Sequence, residues 1–181
     1  LYLKRAVVGG VERVYEIGRI FRYEGIDSTH SPEFTMLECY QSYGDQFTMA
    51  DLMRRMILAA ADEIGSRQIE SPHGLIDLDG EWVWLPFYDG LSSAVGQRVD
   101  VDTPVEDLRR LASAHDVPLQ AGWGADKIAL EIFGDIVEPT LVQPTFVCDY
   151  PAIAQPLARP HRDTPGLVEA WDLIIGGVER G

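Results

Sequence analysis

Phe21-Arg22-Tyr23-Glu24-Gly25-Ile26-Asp27-Ser28-Thr29-His30-Ser31-Pro32-Glu33-Phe34-Thr35-Met36-Leu37-Glu38-Cys39-Tyr40 is a polar loop set between two alternating runs, the pattern of a long β-hairpin. The run before the loop, Val14 to Arg22, alternates. In the run after it, Phe34, Met36, Glu38 and Tyr40 share one face while Thr35, Leu37, Cys39 and Gln41 share the other, because successive strand side chains point to opposite sides. A half-buried strand normally keeps Glu on its solvent side, away from Phe and Met. Glu38 breaks that pattern.

Upstream of the hairpin, Leu1 to Val8 reads as the end of a helix stopped by Gly9-Gly10, a pair suited to left-handed cap and turn conformations. Downstream, Thr48 is placed to cap a helix with Asp51 three residues on, and Leu52, Met53, Met56, Ile57, Ala60 and Ile64 form its apolar stripe up to Gly65. Residues 66–122 change texture. Pro72-His73-Gly74 and Asp79-Gly80 are turn signals around a short apolar strand, Trp82 to Leu85, ending before Pro86, and the stretch reads as an insertion-like segment rather than a second domain. Within it Thr103-Pro104-Val105-Glu106 has the form of a capping box with Pro at the first helical position, backed by Val105, Leu108, Leu111 and Ala112. Trp123 to Glu138 predicts another helix, packed through Ile128, Ile132, Phe133 and Ile136 and ended before Pro139.

Strand Thr145 to Cys148 leads through Tyr150-Pro151 into a Pro-rich loop, Pro156 to Arg162, which either orders around a ligand or simply connects. Val168 to Ile175 alternates, and Gly176-Gly177 is a two-residue hairpin signal. A turn of that length pairs Ile175 with Val178 and Ile174 with Glu179, so Glu179 faces the same way as Asp172. Two such carboxylates lie about 7–8 Å apart along the diagonal. They either converge on a hard cation, as Mg²⁺ accepts from one or two carboxylates with water and phosphate, or form a solvent-facing acidic pair.

At 181 residues and 46% hydrophobic content the chain is long enough for one folded domain with a core. No apolar run approaches the roughly 20 residues of a membrane helix, and the start lacks the layout of a signal peptide. A chain without an initiator Met that begins inside an amphipathic segment reads as a fragment of something longer. Cys39 and Cys148 have no CxxC spacing and each sits in an apolar run, so both read as buried thiols. His73, His115 and His161 show no metal-ligand spacing. The net charge of −14 argues against binding nucleic acid mainly through phosphate neutralisation. Residues 1–25 nevertheless hold Lys4, Arg5, Arg13, Arg19 and Arg22 against Glu12, Glu16 and Glu24. That cationic island either holds a compact polyphosphate or is a set of solvated faces. No repeat, Gly-x4-Gly-Lys loop or Ser-His-Asp constellation is present.

The chain resembles the catalytic domain of bacterial class II lysyl-tRNA synthetases. The resemblance is carried by Leu1 to Arg5, Val7 to Gly10, Glu12 to Arg19, Phe21-Arg22, Glu24 to Asp27 and His30 to Tyr40, which match the second class-defining motif and its flanks. Gln143 to Phe146, Pro156 to Ala158 and the Asp172 to Glu179 hairpin match later segments, so similarity covers nearly the whole chain. It implies an α+β fold, an antiparallel sheet flanked by helices, forming part of a class II catalytic core. It implies a lysine-tRNA ligase that activates L-lysine with ATP and transfers it to tRNA(Lys), in a cytoplasmic homodimer. By resemblance Arg22 holds the α-phosphate, Glu24 and His30 contact ATP, and Phe34 stacks on adenine. Glu38 and Tyr40 bind the lysine ammonium, and Asp172 and Glu179 carry Mg²⁺.

A carboxylate among apolar neighbours is tolerable when it pairs with a cation, which accounts for the misplaced Glu38. The family usually has Asn where Tyr23 and Ser31 stand, Glu at the position of Asp172, and Arg before Glu179. The last departure resembles the synthetase-like half of bacterial proteins that also carry a lysylphosphatidylglycerol synthase, so lipid or protein lysylation is an alternative destination for the activated lysine. A non-catalytic remnant that binds ligands or partners is the remaining one. The first and third class motifs, the anticodon-binding domain through which tRNA is held, and an acidic lysine-binding residue lie outside this stretch. The isolated piece is therefore expected to be inactive and to make no membrane contact.

Overall fold

The computed structural model describes residues 1–22 and 31–181. The chain divides into two units, residues 1–49 and 50–181. The class is α+β, as predicted: among the described residues, helices alternate with small sheets whose pairings are antiparallel except for one.

In the first unit a short helix, α1 (Tyr2–Val8), precedes the hairpin of β1 (Arg13–Phe21) and β2 (Glu33–Gln41). The ladder runs from Arg13 opposite Gln41 to Phe21 opposite Glu33, and the Arg22 N–H extends it by donating to the Pro32 carbonyl at 3.0 Å. This register places Val14, Glu16, Gly18 and Ile20 opposite Tyr40, Glu38, Met36 and Phe34, and Arg22 continues that face by its parity. The opposite face leaves Tyr15, Ile17, Phe21 and Leu37 exposed.

Helix α2 (Gln46–Ile64) follows, and its cap differs from the sequence expectation. Asp45, not Thr48, is the capping residue: Asp45 Oδ1 accepts the Thr48 N–H at 2.8 Å and the Thr48 hydroxyl at 2.9 Å. Asp satisfies a helix N-terminal donor from outside the helix better than a β-branched Thr already inside it. These bonds hold the Asp45 carboxyl below its ordinary value. The apolar stripe is also turned. Ala50, Met53, Ile57 and Ala61 face inward at steps of three and four, whereas Ala60 and Ile64 are exposed.

The second unit holds the core. Strands β3 (Gln68–Ser71) and β4 (Gly74–Asp77) form a hairpin, and β5 (Val83–Pro86) runs directly into α3 (Phe87–Val95). Helices α4 (Val105–Ala114) and α5 (Ala125–Ile132) come next, then β6 (Thr145–Cys148), β7 (Arg159–Pro160), β8 (Val168–Glu169) and β9 (Trp171–Ile174). The three-stranded sheet has the order β5-β6-β9, parallel for β5–β6 and antiparallel for β6–β9. Residues 66–122, read in the sequence as insertion-like, thus supply β5 to this sheet as well as α3 and α4.

Two apolar clusters flank the sheet. One gathers α3, α4 and α5 with Phe87 fully buried, 4.6 Å from Phe133 and 5.3 Å from Tyr150 between ring centroids. The other centres on Phe146, with Trp171, Trp84 and Trp82 at 4.9, 5.2 and 5.7 Å. Helix α4 does not use the expected capping box. Thr103 accepts the Asp100 N–H through Oγ1 at 2.8 Å, and Pro104, with extended ψ, is the residue before the first helical turn. Its predicted stripe holds, with Leu108, Leu111 and Ala112 buried. The helix expected from Trp123 to Glu138 is three pieces: α5, a π-helical turn over Phe133–Val137 and a 3₁₀ turn over Glu138–Thr140.

The Gly176-Gly177 turn forms as read, with φ of 69° and 72°. Ile174 bridges Glu179, and the Ile175 N–H donates to the Val178 carbonyl at 3.0 Å. A Cβ on Gly177 would lie 3.0 Å from the Pro139 carbonyl oxygen. Gly177→Ala is therefore expected to lower stability by more than about 1 kcal/mol, since Ala at positive φ is strained even without a clash. A urea midpoint equal to that of the unsubstituted protein would contradict this.

Candidate functional site

The register of β1 and β2 brings four of the sequence-predicted residues onto one face. Arg22 lies at the loop end, its guanidinium carbon 5.8 Å from the Phe34 ring centroid and Nη2 3.9 Å from the Met36 sulfur. Arg19, on the opposite face, pairs instead with Glu33 at 3.0 Å. Toward the other end of β2, the Tyr40 hydroxyl donates to Glu38 Oε1. Burial and the Glu38 carboxylate push the Tyr40 phenol up to about 12, so it stays protonated and serves as a donor at neutral pH. The Lys4 ammonium sits 5.6 Å from the Tyr40 ring centroid. Phe34 and Glu38 are four residues apart, about 13 Å along an extended strand. The face thus runs from a cation over an aromatic ring to a carboxylate tied by a phenol.

Sequence reading missed Glu16. It stands directly opposite Glu38 in the ladder, and like charges directly opposed destabilise a strand pair. The signal was present in the equal numbers of residues separating each Glu from the strand ends that pair, but it needed the register to be read. Glu24 and His30 lie outside the described residues.

In the second unit Asp172 and Glu179 flank the Gly-Gly turn. Asp172 accepts the Gln155 amide at 3.0 Å and the Tyr150 hydroxyl. Burial raises the Asp172 carboxyl, and these two bonds offset only part of that. Tyr150 is itself buried, and its phenol is held well above the ordinary value by burial, then by Asp172 and more weakly by Glu179 and Glu138. The bridge between Ile174 and Glu179 gives Glu179 the strand parity of Asp172, the face read from the turn. Among the described residues no group of three or more His, Cys, Asp or Glu is arranged to hold a metal ion. A two-carboxylate oxygen donor set suits Mg²⁺, which keeps most of its water and takes its remaining ligands from substrate phosphate.

The cysteines and the histidine of the Pro-rich loop are structural. Burial pushes the Cys148 thiol up to about 12, which removes it as a nucleophile at neutral pH; Cys39, expected to be buried, is only half-buried, and that burial raises its thiol too. His161 accepts the Asp163 and Thr164 N–H groups through Nδ1 at 3.1 and 3.0 Å, fixing the Pro-rich loop. Arg162 in that loop forks onto Glu169, with Nη2 3.0 Å from Oε2. No helix among the described residues is long and apolar enough to cross a membrane.

The family of tRNA synthetases class II (D, K and N) matches residues 1–181. The chain is also 44% identical over its full length to the lysylphosphatidylglycerol biosynthesis bifunctional protein LysX of Mycobacterium marinum, and 42% identical to LysX of Mycobacterium tuberculosis strain H37Rv. It spans 17% of the length of each. With a match that covers every residue of the hairpin face and of the Gly-Gly turn, the chain belongs to the class II tRNA synthetase family.

Proposed function

We propose that this chain is part of the catalytic core of an enzyme that activates L-lysine with ATP to lysyl-adenylate and passes the lysyl group to tRNA(Lys). The observation that carries the reading is the β1–β2 face, where Glu38, held by Tyr40 and opposed by Glu16, concentrates negative charge at one end and Arg22 over Phe34 presents a cation at the other. An aminoacyl-adenylate has the complementary layout, with a lysine ammonium at one end and a phosphate beside an adenine ring at the other.

In this reading the lysine carboxylate attacks the α-phosphorus of ATP, forming the mixed anhydride as the bond to pyrophosphate breaks. The Arg22 guanidinium forms charge-assisted bonds to the α-phosphate and stabilises the charge that develops there. Phe34 offers its ring to the adenine. No protein nucleophile is required, and the chain contributes position and field. A 3′-terminal ribose hydroxyl of tRNA then takes the lysyl group and adenylate leaves. Asp172 and Glu179 would hold Mg²⁺, which when bound neutralises phosphate charge. The likeness to LysX supports lysylphosphatidylglycerol as the further destination of that lysyl group, through parts of the relatives beyond this stretch.

The test is binding of non-hydrolysable aminoacyl-adenylate analogues followed by calorimetry. Saturable binding of the lysyl analogue, with the leucyl analogue at least about 10-fold weaker for want of the charged bond to Glu38, is the expected result. Equal binding of both, or of neither, would overturn the reading.

A further inference from the structure

Glu138 has no assigned part in the chemistry above, yet it closes on the turn that carries Asp172 and Glu179. The turn is clamped from one side by residues 138–142. Gly176 and Gly177 donate their N–H groups to the Val142 and Leu141 carbonyls, each at 3.0 Å. Gly177 is packed against the Pro139 backbone, and the Glu179 N–H donates to the Glu138 carboxylate. Glu138 is delivered to that position by the π-helical turn Phe133–Val137, whose Phe133 and Val137 are buried, and by the 3₁₀ turn that follows. Single π turns inside helices recur at functional sites because the extra residue redirects what comes next.

We propose that Glu138 is a positioning residue: by accepting the Glu179 main-chain N–H it fixes the return strand so that the Glu179 carboxylate stays on the Asp172 side of the turn. The proposal rests on the reading of Asp172 and Glu179 as holders of a divalent cation. In this arrangement Glu138 acts on the Glu179 main chain and not on the cation. It acts through hydrogen bonding, not through its own charge. An amide of the same shape offers the same acceptor oxygen to that N–H.

The experiment uses Glu138→Gln, Glu138→Ala and Asp172→Asn with two readouts: Mn²⁺ binding by electron paramagnetic resonance in the presence of a non-hydrolysable ATP analogue, and hydrogen exchange of the Glu179 amide. Gln keeps an acceptor oxygen, so Glu138→Gln is expected to retain Mn²⁺ affinity and amide protection. Glu138→Ala is expected to lose about 10-fold in Mn²⁺ affinity, the usual cost of removing a group that orients a ligand, together with protection at Glu179. Unchanged exchange at Glu179 in Glu138→Ala, or equal loss in the Gln and Ala variants, would overturn the positioning role. Mn²⁺ binding undiminished by Asp172→Asn would overturn the cation reading instead, and the exchange measurement decides the part of Glu138 either way.

Discussion

Glu38→Gln is expected to weaken lysine binding by about 10-fold or more, because the charged hydrogen bond it loses contributes roughly 1.5–3 kcal/mol and about 1.4 kcal/mol is tenfold. The substitution keeps the side chain's shape and its acceptor for the Tyr40 hydroxyl, so the strand pairing from Arg13–Gln41 to Phe21–Glu33 should survive. What it removes is the charge. With Glu38 neutral, Glu16 is the carboxylate left at that end of the face, and it lacks the phenol that ties Glu38 in place. Calorimetric titration with lysine gives the affinity directly. An unchanged value would sink the assignment of Glu38 to the ammonium, and would leave the Tyr40 hydroxyl as the partner that accounts for the carboxylate.

The second large effect concerns the core. Phe87→Ala is expected to cost about 3–5 kcal/mol, the range for removing a buried aromatic ring from a close-packed interior. Phe87 is fully buried, stacks on Phe133, meets Tyr88 edge-on at 5.1 Å and lies 5.3 Å from Tyr150. The cavity would open beside the very Tyr150 whose hydroxyl bonds Asp172, so the loss should reach the acidic turn as well as the helices. Urea unfolding measures it, and a loss under about 1 kcal/mol would mean that the surrounding rings collapse into the space.

The two hairpins were legible in sequence because alternation of period two and a Gly-Gly pair are strong local signals. Those signals alone group Phe34, Glu38 and Tyr40 on one face and Asp172 with Glu179 on another. Helix α3 was not legible: Gly90, Ser92 and Ser93 are poor helix formers, and the helix persists because Phe87 and Leu91 are buried and Gly90 allows Leu85 and Phe133 to approach to 3.0 and 3.2 Å of where a Cβ would stand. The β3–β4 hairpin was hidden by brevity, four residues a side. Glu138 was hidden by periodicity itself. Reading one continuous helix up to Pro139 left it as a terminal polar residue, whereas the π turn before it reorients the chain toward Glu179. At Thr48 and Thr103, where caps were expected, the hydroxyls bond Asp45 and Asp100 instead of the helix ends assigned to them.

The crowding of Trp82, Trp84 and Trp171 around Phe146 has an optical consequence. All four tryptophans of the chain, these and Trp123, fall within residues 50–181, whereas residues 1–49 carry tyrosine and phenylalanine but no tryptophan. Indole emission during a melt therefore comes from side chains of the larger unit, and the β1–β2 ladder carries no indole of its own. Paired with amide circular dichroism, to which the backbone of both units contributes, the same sample sets the indole signal of residues 50–181 beside the melting of the whole backbone without any label.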